Sequence, residues 1–274
     1  MNKINKKIMQ GFTMVEMVIV IAITAILAVG IAVFIKGPVI AYDDTAKRAE
    51  IADQAYLVIK KIRNDVRSSL PNSVRTTTVG NKVYLEMLTV ADGGKYRGQD
   101  NAAKTGDVLE FNVADTSFDV LSYPITFKGG EKIVVANIGS PSYDAFASNN
   151  MTDYAGATGA PVTNIVMASK KFPLESVSEN FYVVDKVVSY VCDKDALTLT
   201  KYWGYTISSS QPSNNLIPPL SAGQSALMAN TVIDCSFSYS QGSNSRNGVV
   251  SISVKLKNSG QEATLYGETY VPNT

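Results

Sequence analysis

The feature that most constrains this chain is an apolar run from Phe12 to Ile35 that contains a single charged residue, Glu16. A run of about 24 residues is long enough to cross a lipid bilayer as one α-helix. A carboxylate inside such a helix costs about 2.5–3.5 kcal/mol on membrane-insertion scales. A helix that served only as an anchor would be more stable without Glu16, so the carboxylate indicates a further role for this segment.

The residues before the run form a short basic leader that contains Lys3, Lys6 and Lys7. By the positive-inside rule, these charges place the N-terminus in the cytoplasm and the residues after the run across the membrane. Two ordinary interpretations stay open. One is a cleaved secretory signal, for which the run is long and Ile26-Leu27-Ala28 is a poor cleavage sequence. The other is a signal anchor with an incidental carboxylate.

The junction between leader and run, Gly11-Phe12-Thr13-Met14-Val15-Glu16, resembles the prepilin peptidase recognition sequence of type IV pilins and type II secretion pseudopilins. The resemblance implies cleavage between Gly11 and Phe12, N-methylation of Phe12, and a Glu16 that becomes the fifth mature residue. Glu16 would then lie in the first helical turn, where the positive end of the helix dipole favours an anion. The family's assembly implies that the Phe12 ammonium of a neighbouring subunit neutralises it.

The same resemblance implies where the protein acts and what it meets. It predicts a single-pass inner-membrane protein with a periplasmic C-terminal head that is later incorporated into a pilus. The implied partners are the prepilin peptidase, the inner-membrane pilus assembly platform, and other minor and major pilins.

Four parts of the chain are predicted: a leader over residues 1–11, a transmembrane helix over 12–36, a periplasmic amphipathic helix over 37–70, and a β-rich head over 71–274. Pro38 is expected to kink or locally unwind the helix at the membrane exit, and Pro71 to end it. The amphipathic part has apolar residues at helical spacing, which we expect to pack on the head. They are Ala49, Ala52, Tyr56, Ile59, Ile62 (or Arg63), Val66 and Leu70.

After Pro71 the apolar pattern alternates with period two, which is typical of strands bounded by turn residues. The predicted strands are Lys82–Leu88, Asp107–Val113, Ile125–Phe127, Lys132–Ala136, Phe181–Val191, Leu197–Tyr205, Val232–Ser240, Val249–Leu256 and Ala263–Val271. The last three form a meander. Residues 139–161 and 208–223 are predicted as long loops, and Asp92-Gly93-Gly94 as a turn. The predicted fold class is therefore α+β and pilin-like, with a long N-terminal helix on an antiparallel head.

Cysteine and histidine usage limits the chemistry of the head. Cys192 and Cys235 fit an oxidising compartment, and a bond between them, closing a loop of about 44 residues, would stabilise the fold by about 4 kcal/mol. Two buried free thiols are the alternative. The chain has no histidine, so Ser-His-Asp and Cys-His sites cannot form, and the usual zinc ligand sets are missing. We expect no enzyme activity, metal or cofactor.

The sequence gives little support for binding of nucleic acid, calcium or sugar. The net charge of +1 gives no reason to expect nucleic-acid binding. Asp193-Lys194-Asp195 is predicted to be a hairpin turn, because it lacks the spaced oxygen ligands of a calcium loop. A sugar site would use exposed aromatics, although aromatics in strands are more often core residues. The sugar-site residues considered are Tyr143, Tyr154, Tyr202, Trp203 and Tyr205.

Three later stretches resemble minor pilins of the mannose-sensitive haemagglutinin (MSHA) pilus: Leu70–Arg75, Phe111–Leu121 and Tyr270–Asn273. This resemblance implies a minor type IV pilin that acts in initiation, in assembly or at the tip of the filament. One alternative is a J-like minor pseudopilin of a type II secretion system, which shares the N-terminal motif, the long helix and a broad β head. The other is a pilus-tip adhesin whose head binds a glycan or a surface.

Overall fold

The computed structural model describes residues 11–100, 103, 105–242 and 247–272. Apart from Gly11, the predicted leader lies outside these residues. The chain divides into two compact units, Met1–Glu50 and Ile51–Thr274.

One helix, α1, runs from Met14 to Arg67 and belongs to both units. In the first unit its apolar side chains are exposed, and among the described residues α1 is the one helix that is long and apolar enough to cross a membrane. The helix continues through Pro38, so the expected local unwinding is wrong, and a kink at Pro38 stays a prediction. Proline removes one backbone hydrogen bond, and the turns on either side keep theirs.

In the second unit, α1 buries one face. The buried residues are Ile51, Ala55, Val58, Ile59, Ile62 and Val66. The predicted stripe is correct from Ile59 onward and wrong before it, because Ala49 and Tyr56 are exposed. The aliphatic residues Ile51 and Val58 take the inner positions, which leaves Tyr56 on the opposite side of the helix.

The helix ends at Arg67, three residues earlier than predicted, because the chain there joins a strand. The hydroxyl of Ser69 donates to the carbonyl of Val66 at 2.7 Å, an interaction that competes with further helical bonding. The amide of Leu70 donates to the carbonyl of Leu88 at 2.8 Å. The backbone therefore leaves the helix directly into sheet pairing, before Pro71 is reached.

The strands of the described part of the chain, in order, are as follows. They are β1 Arg75–Val79, β2 Lys82–Lys95, β3 Asp115–Asp119, β4 Ile125–Thr126, β5 Lys132–Val135, β6 Met151–Asp153, β7 Pro161–Val162, β8 Asn164–Lys170, β9 Asn180–Asp193, β10 Thr198–Trp203, β11 Gln224–Asn230, β12 Val232–Ser240, β13 Gly248–Asn258 and β14 Gln261–Val271. A 3₁₀ turn, Leu220–Ala222, precedes β11.

These strands pair antiparallel throughout. The larger sheet has the order β1-β2-β9-β10-β11, with β5 paired to β9 and β6 to β5. A second sheet has the order β12-β13-β14, and β3-β8 and β4-β7 form short pairs. The predicted class, α+β with a long N-terminal helix and an antiparallel β-rich head, is confirmed, as is the C-terminal meander.

Side chains alternate across the larger sheet and so build two cores. On one face, residues such as Leu85 and Tyr190 pack with the buried face of α1 and with the β12-β13-β14 sheet. On the other face, residues such as Tyr84 and Val191 pack with Tyr205 and with Leu220 of the 3₁₀ turn. A further cluster around Phe118 and Phe181 lies at the other end of β9.

Two predicted elements are wrong. Asp107–Val113 is a loop, because the carboxylates of Asp115 and Asp119 accept hydrogen bonds from the amides of Glu110 and Asp107 at 2.8 and 3.0 Å and hold the backbone away from a ladder. Asp92-Gly93-Gly94 lies inside β2. A Cβ at Gly93 would be 2.9 Å from the carbonyl oxygen of Phe181, so this glycine permits close approach of β9.

The strands β1, β3, β6, β7, β8 and β11 were not predicted. In β11 the side chains are mostly exposed and show no clear apolar alternation, as expected for a strand at the edge of a sheet. Its position depends on pairing with β10. The two predicted long loops are otherwise correct, apart from the three-residue strand β6, the start of β7 at Pro161 and the 3₁₀ turn.

Two cross-links join the elements of the second unit. Cys192 on β9 and Cys235 on β12 form a disulfide, with Cα atoms 6.5 Å apart, and so connect the two sheets within the core. Asp65 on α1 forms a partly buried ion pair with Lys201 on β10 and accepts a hydrogen bond from the Tyr190 hydroxyl at 2.7 Å.

Replacing Cys192 and Cys235 together by serine is expected to lower the free energy of unfolding by about 4 kcal/mol, because the unfolded chain gains loop entropy. Urea unfolding of the full-length protein in detergent, with and without reductant, measures this difference. Peptide mapping under non-reducing conditions checks the bond itself. Two thiols that alkylate freely in protein isolated from an oxidising compartment would contradict it.

The ion pair of Asp65 with Lys201 predicts a difference in stability between two lysine variants. Lys201→Met leaves the Asp65 carboxylate partly buried beside Tyr190 without its closer cation, and we expect a loss of about 3 kcal/mol of stability. Lys61→Met is the matched control: its ammonium lies 3.8 Å from Asp65 but is half-exposed, so its removal should change stability by less than about 1 kcal/mol. Urea unfolding followed by the fluorescence of Trp203 measures both. Equal losses of stability in the two variants would contradict the assignment of Lys201 as the main partner of Asp65.

Candidate functional site

The start of α1 is fixed by the residue before it. The amide of Glu16 donates to the Thr13 side-chain oxygen at 3.3 Å, and the amide of Met17 donates to the Thr13 carbonyl at 3.2 Å. Thr13 is therefore the N-cap of the helix, a position that favours threonine because its oxygen satisfies an otherwise unpaired amide. Thr13-Met14-Val15-Glu16 has the residue order of a capping box, a signal that the sequence analysis overlooked.

The two residues before the cap lie outside the helix. Phe12 is 71% exposed, and a Cβ added at Gly11 would meet no atom within 4 Å. The peptide bond between them is thus in non-helical, uncrowded backbone. The cleavage predicted from the sequence falls at this bond.

Glu16 is the third residue of α1 and is exposed. At this position the carboxylate interacts favourably with the positive end of the helix dipole. The next charged residue along α1 is Lys36, about 30 Å away at the rise of a helix, so the helix itself offers Glu16 no cation. A compensating charge has to come from elsewhere.

The remainder of the apolar segment is chemically uniform. Thr24 is its polar exception, and its hydroxyl donates to the carbonyls of Val20 at 2.8 Å and Ile21 at 3.0 Å. A hydroxyl satisfied within its own helix is compatible with lipid. Glu16 is therefore the one group between Phe12 and Ile35 whose polarity the helix leaves uncompensated.

The aromatics considered for a sugar site are not brought together. Tyr154 stacks on Phe127 with ring centroids 3.6 Å apart, and Tyr205 is buried, donating to Glu86 Oε1 at 2.7 Å. Tyr202 and Trp203 pack against different apolar clusters on opposite faces of β10. The fifth, Tyr143, is half-buried in the loop after β5. The more exposed aromatics after α1 are others, Tyr123, Tyr266 and Tyr270.

Asp193-Lys194-Asp195 is the hairpin turn that was predicted. One carboxylate oxygen of Asp193 accepts from the amides of Asp195 and Ala196 at 3.1 and 3.0 Å, and the other pairs with Lys82 at 2.9 Å. Both oxygens are thus occupied by the fold. Within the described residues, no three His, Cys, Asp or Glu side chains are placed to hold a metal ion.

Comparison with known proteins identifies the N-terminal segment. Residues 6–32 match the family model described as the prokaryotic N-terminal methylation motif. This chain carries that motif. The matched residues include Gly11, Phe12, Thr13 and Glu16, so the capped helix start and the methylation motif coincide. No curated protein and no solved structure matches the chain.

Proposed function

We propose that this chain is a type IV pilin-like subunit that the prepilin peptidase cleaves between Gly11 and Phe12, that is methylated on Phe12, and that assembles through α1. The observation that carries the proposal is the methylation motif over residues 6–32, positioned on a helix whose first turn presents Glu16. The role is structural, and its partners are the peptidase, the assembly platform and other pilins.

The proposed domain organisation follows from the same segment. Residues 1–11 are the leader, 12–36 contain the transmembrane part of α1, 37–70 contain its periplasmic part, which ends at Arg67, and 71–274 are the head. The exposed apolar side chains of the first unit support insertion into the inner membrane. The disulfide between Cys192 and Cys235 supports a periplasmic head, since such bonds persist in oxidising compartments.

Glu16 supplies the chemistry of assembly in this proposal. An unpaired carboxylate in lipid is unfavourable, and the N-methylated amine of Phe12 is still a cation after cleavage. When a second subunit packs alongside, its Phe12 ammonium pairs with Glu16. Pairing removes two isolated charges from an apolar filament core, so it favours assembled over separate subunits.

Within this class we propose an MSHA-type minor pilin. Support comes from the three resembling stretches, which lie at the exit from α1, around β3 and at the end of β14. The large head suits a scarce subunit rather than the major one. A J-like minor pseudopilin has the same N-terminal chemistry, and the three-stranded meander that begins at the disulfide-bearing strand β12 is compatible with that class too. Neighbouring genes for MSHA pilus or type II secretion components separate the two.

Processing gives the direct test of the general proposal. In cells with a prepilin peptidase, the mature protein should begin at Phe12 and carry one extra methyl group on its amine. Intact mass and N-terminal peptide spectra measure both. A mature N-terminus beyond Ala28 would instead indicate a secretory signal, and a retained leader would indicate a plain anchor.

Substitution of Glu16 tests the pairing. Glu16→Ala and Glu16→Gln should each insert normally and fold a normal head, yet yield few or no pili. Stranding a neighbour's ammonium in a buried interface typically costs about 3–5 kcal/mol. Immunoblots of membranes and counts of surface pili by electron microscopy give the two readouts.

The glutamine variant is the control that separates charge from helix capping. Glutamine also serves at the third position of a capping box, but it has no charge. If Glu16→Gln assembles normally and Glu16→Ala does not, Glu16 acts through the helix start. Normal piliation by both variants, with correct processing, would contradict any assembly role.

A further inference from the structure

We propose that Thr13 is a positioning residue for processing: its hydroxyl sets where α1 begins and so keeps the Gly11–Phe12 bond out of the helix. This inference rests on the proposed function, because it concerns the bond that the prepilin peptidase would cut. It assigns the threonine of the junction a task separate from those of Gly11, Phe12 and Glu16.

The first four N–H groups of any helix lack partners within the helix, and a side-chain oxygen at the N-cap satisfies one of them. The Thr13 side-chain oxygen accepts from the amide of Glu16 at 3.3 Å. This bond favours a helix that begins at Met14, the first helical residue observed.

The competing start lies upstream. Without the threonine oxygen, the nearest preceding residue with an N-cap preference is Gly11. A helix capped there would take Phe12 as its first residue, so the bond to be cut would lie at the helix boundary instead of two residues before it. Peptidases cut exposed, irregular backbone most readily, so this shift would slow cleavage.

The same upstream shift of the helix start would change the position of Glu16 within the helix. It is the third helical residue when Thr13 is the cap and would be the fifth with Gly11 as the cap. The dipole's effect on a charge falls off within the first turn, so Glu16 would lose part of its favourable interaction. One hydroxyl therefore fixes both the accessibility of the bond and the position of the carboxylate.

The test uses the full-length chain in membranes that contain a prepilin peptidase. Thr13→Val keeps the shape of the side chain and removes the accepting oxygen, whereas Thr13→Ser keeps that oxygen. We expect the valine variant to be cleaved about fivefold more slowly, the change that loss of a typical cap gives, and the serine variant to be cleaved at close to the wild-type rate. Pulse-chase labelling measures the ratio of uncleaved to mature protein.

Thr24→Val is the matched control. Thr24 is a second threonine of the same apolar segment, but its hydroxyl donates to carbonyls inside the helix and takes no part in the cap. We expect this variant to be cleaved at the wild-type rate. A similar slowing in both valine variants would show a general effect of valine and overturn the inference.

Amide hydrogen exchange on the uncleaved full-length chain in lipid nanodiscs measures where the helix begins and does not require the peptidase. In the wild-type helix the first backbone bond is made by the amide of Met17, whereas in a helix capped at Gly11 the amide of Val15 would donate to the Gly11 carbonyl. The amide of Val15 should therefore exchange more slowly in Thr13→Val than in wild type or Thr13→Ser. Unchanged exchange, or wild-type cleavage of Thr13→Val, overturns this inference alone. A wild-type chain that the peptidase leaves uncut contradicts the proposed function and this inference together.

Discussion

The second unit depends on one packing interaction, the burial of the Ile51–Val66 face of α1 against both sheets. The helix reaches β9 and β10 through Asp65, which pairs with Lys201 and accepts a bond from Tyr190. It reaches β14 at Gly267, where a Cβ would be 2.6 Å from Ile59 Cγ2, so only glycine allows this approach. A single amphipathic helix is marginal alone in water. Its helicity after residue 50 therefore comes from these sheets, which it holds together in turn.

The opposite face of the larger sheet contains a fully buried carboxylate, that of Glu86. Burial raises the pKa of Glu86, and the guanidinium of Arg75 opposes that rise, with its Nε 2.6 Å from Glu86 Oε2. Arg75 also donates to the carbonyls of Ser208 and Ser209, both at 2.7 Å. The ion pair thereby ties the long proline-rich loop to β1 and β2. A segment that looks unstructured in sequence is thus held in part by a charge pair that no local pattern could indicate.

The contrast between elements shows what local sequence can predict. The strands β12, β13 and β14 are joined by short connections and alternate clearly, so their pattern and their pairing agree. In β11 the pattern is absent, because its order comes from β10, and Asp107–Val113 alternates yet is held as a loop by Asp115 and Asp119. At the N-terminus, Glu16 was identifiable from one charge in an apolar run. Thr13 carried a signal too, the capping-box order of Thr13-Met14-Val15-Glu16, but inside a long apolar run that order does not by itself fix the residue at which the helix starts.

Under the proposed function, Glu16 interacts first with the dipole of its own helix and then with the Phe12 ammonium of a neighbouring subunit. The helix dipole stabilises a carboxylate in the first turn by about 0.3–1 kcal/mol. A carboxylate at the centre of a membrane helix costs about 2.5–3.5 kcal/mol, so the dipole offsets only part of that cost once packing places Glu16 in an apolar core. A neighbouring Phe12 ammonium is the group that can remove the remaining cost. The incomplete compensation within one chain is what makes the charge a signal for assembly, and a helix start that satisfied Glu16 fully would remove that signal.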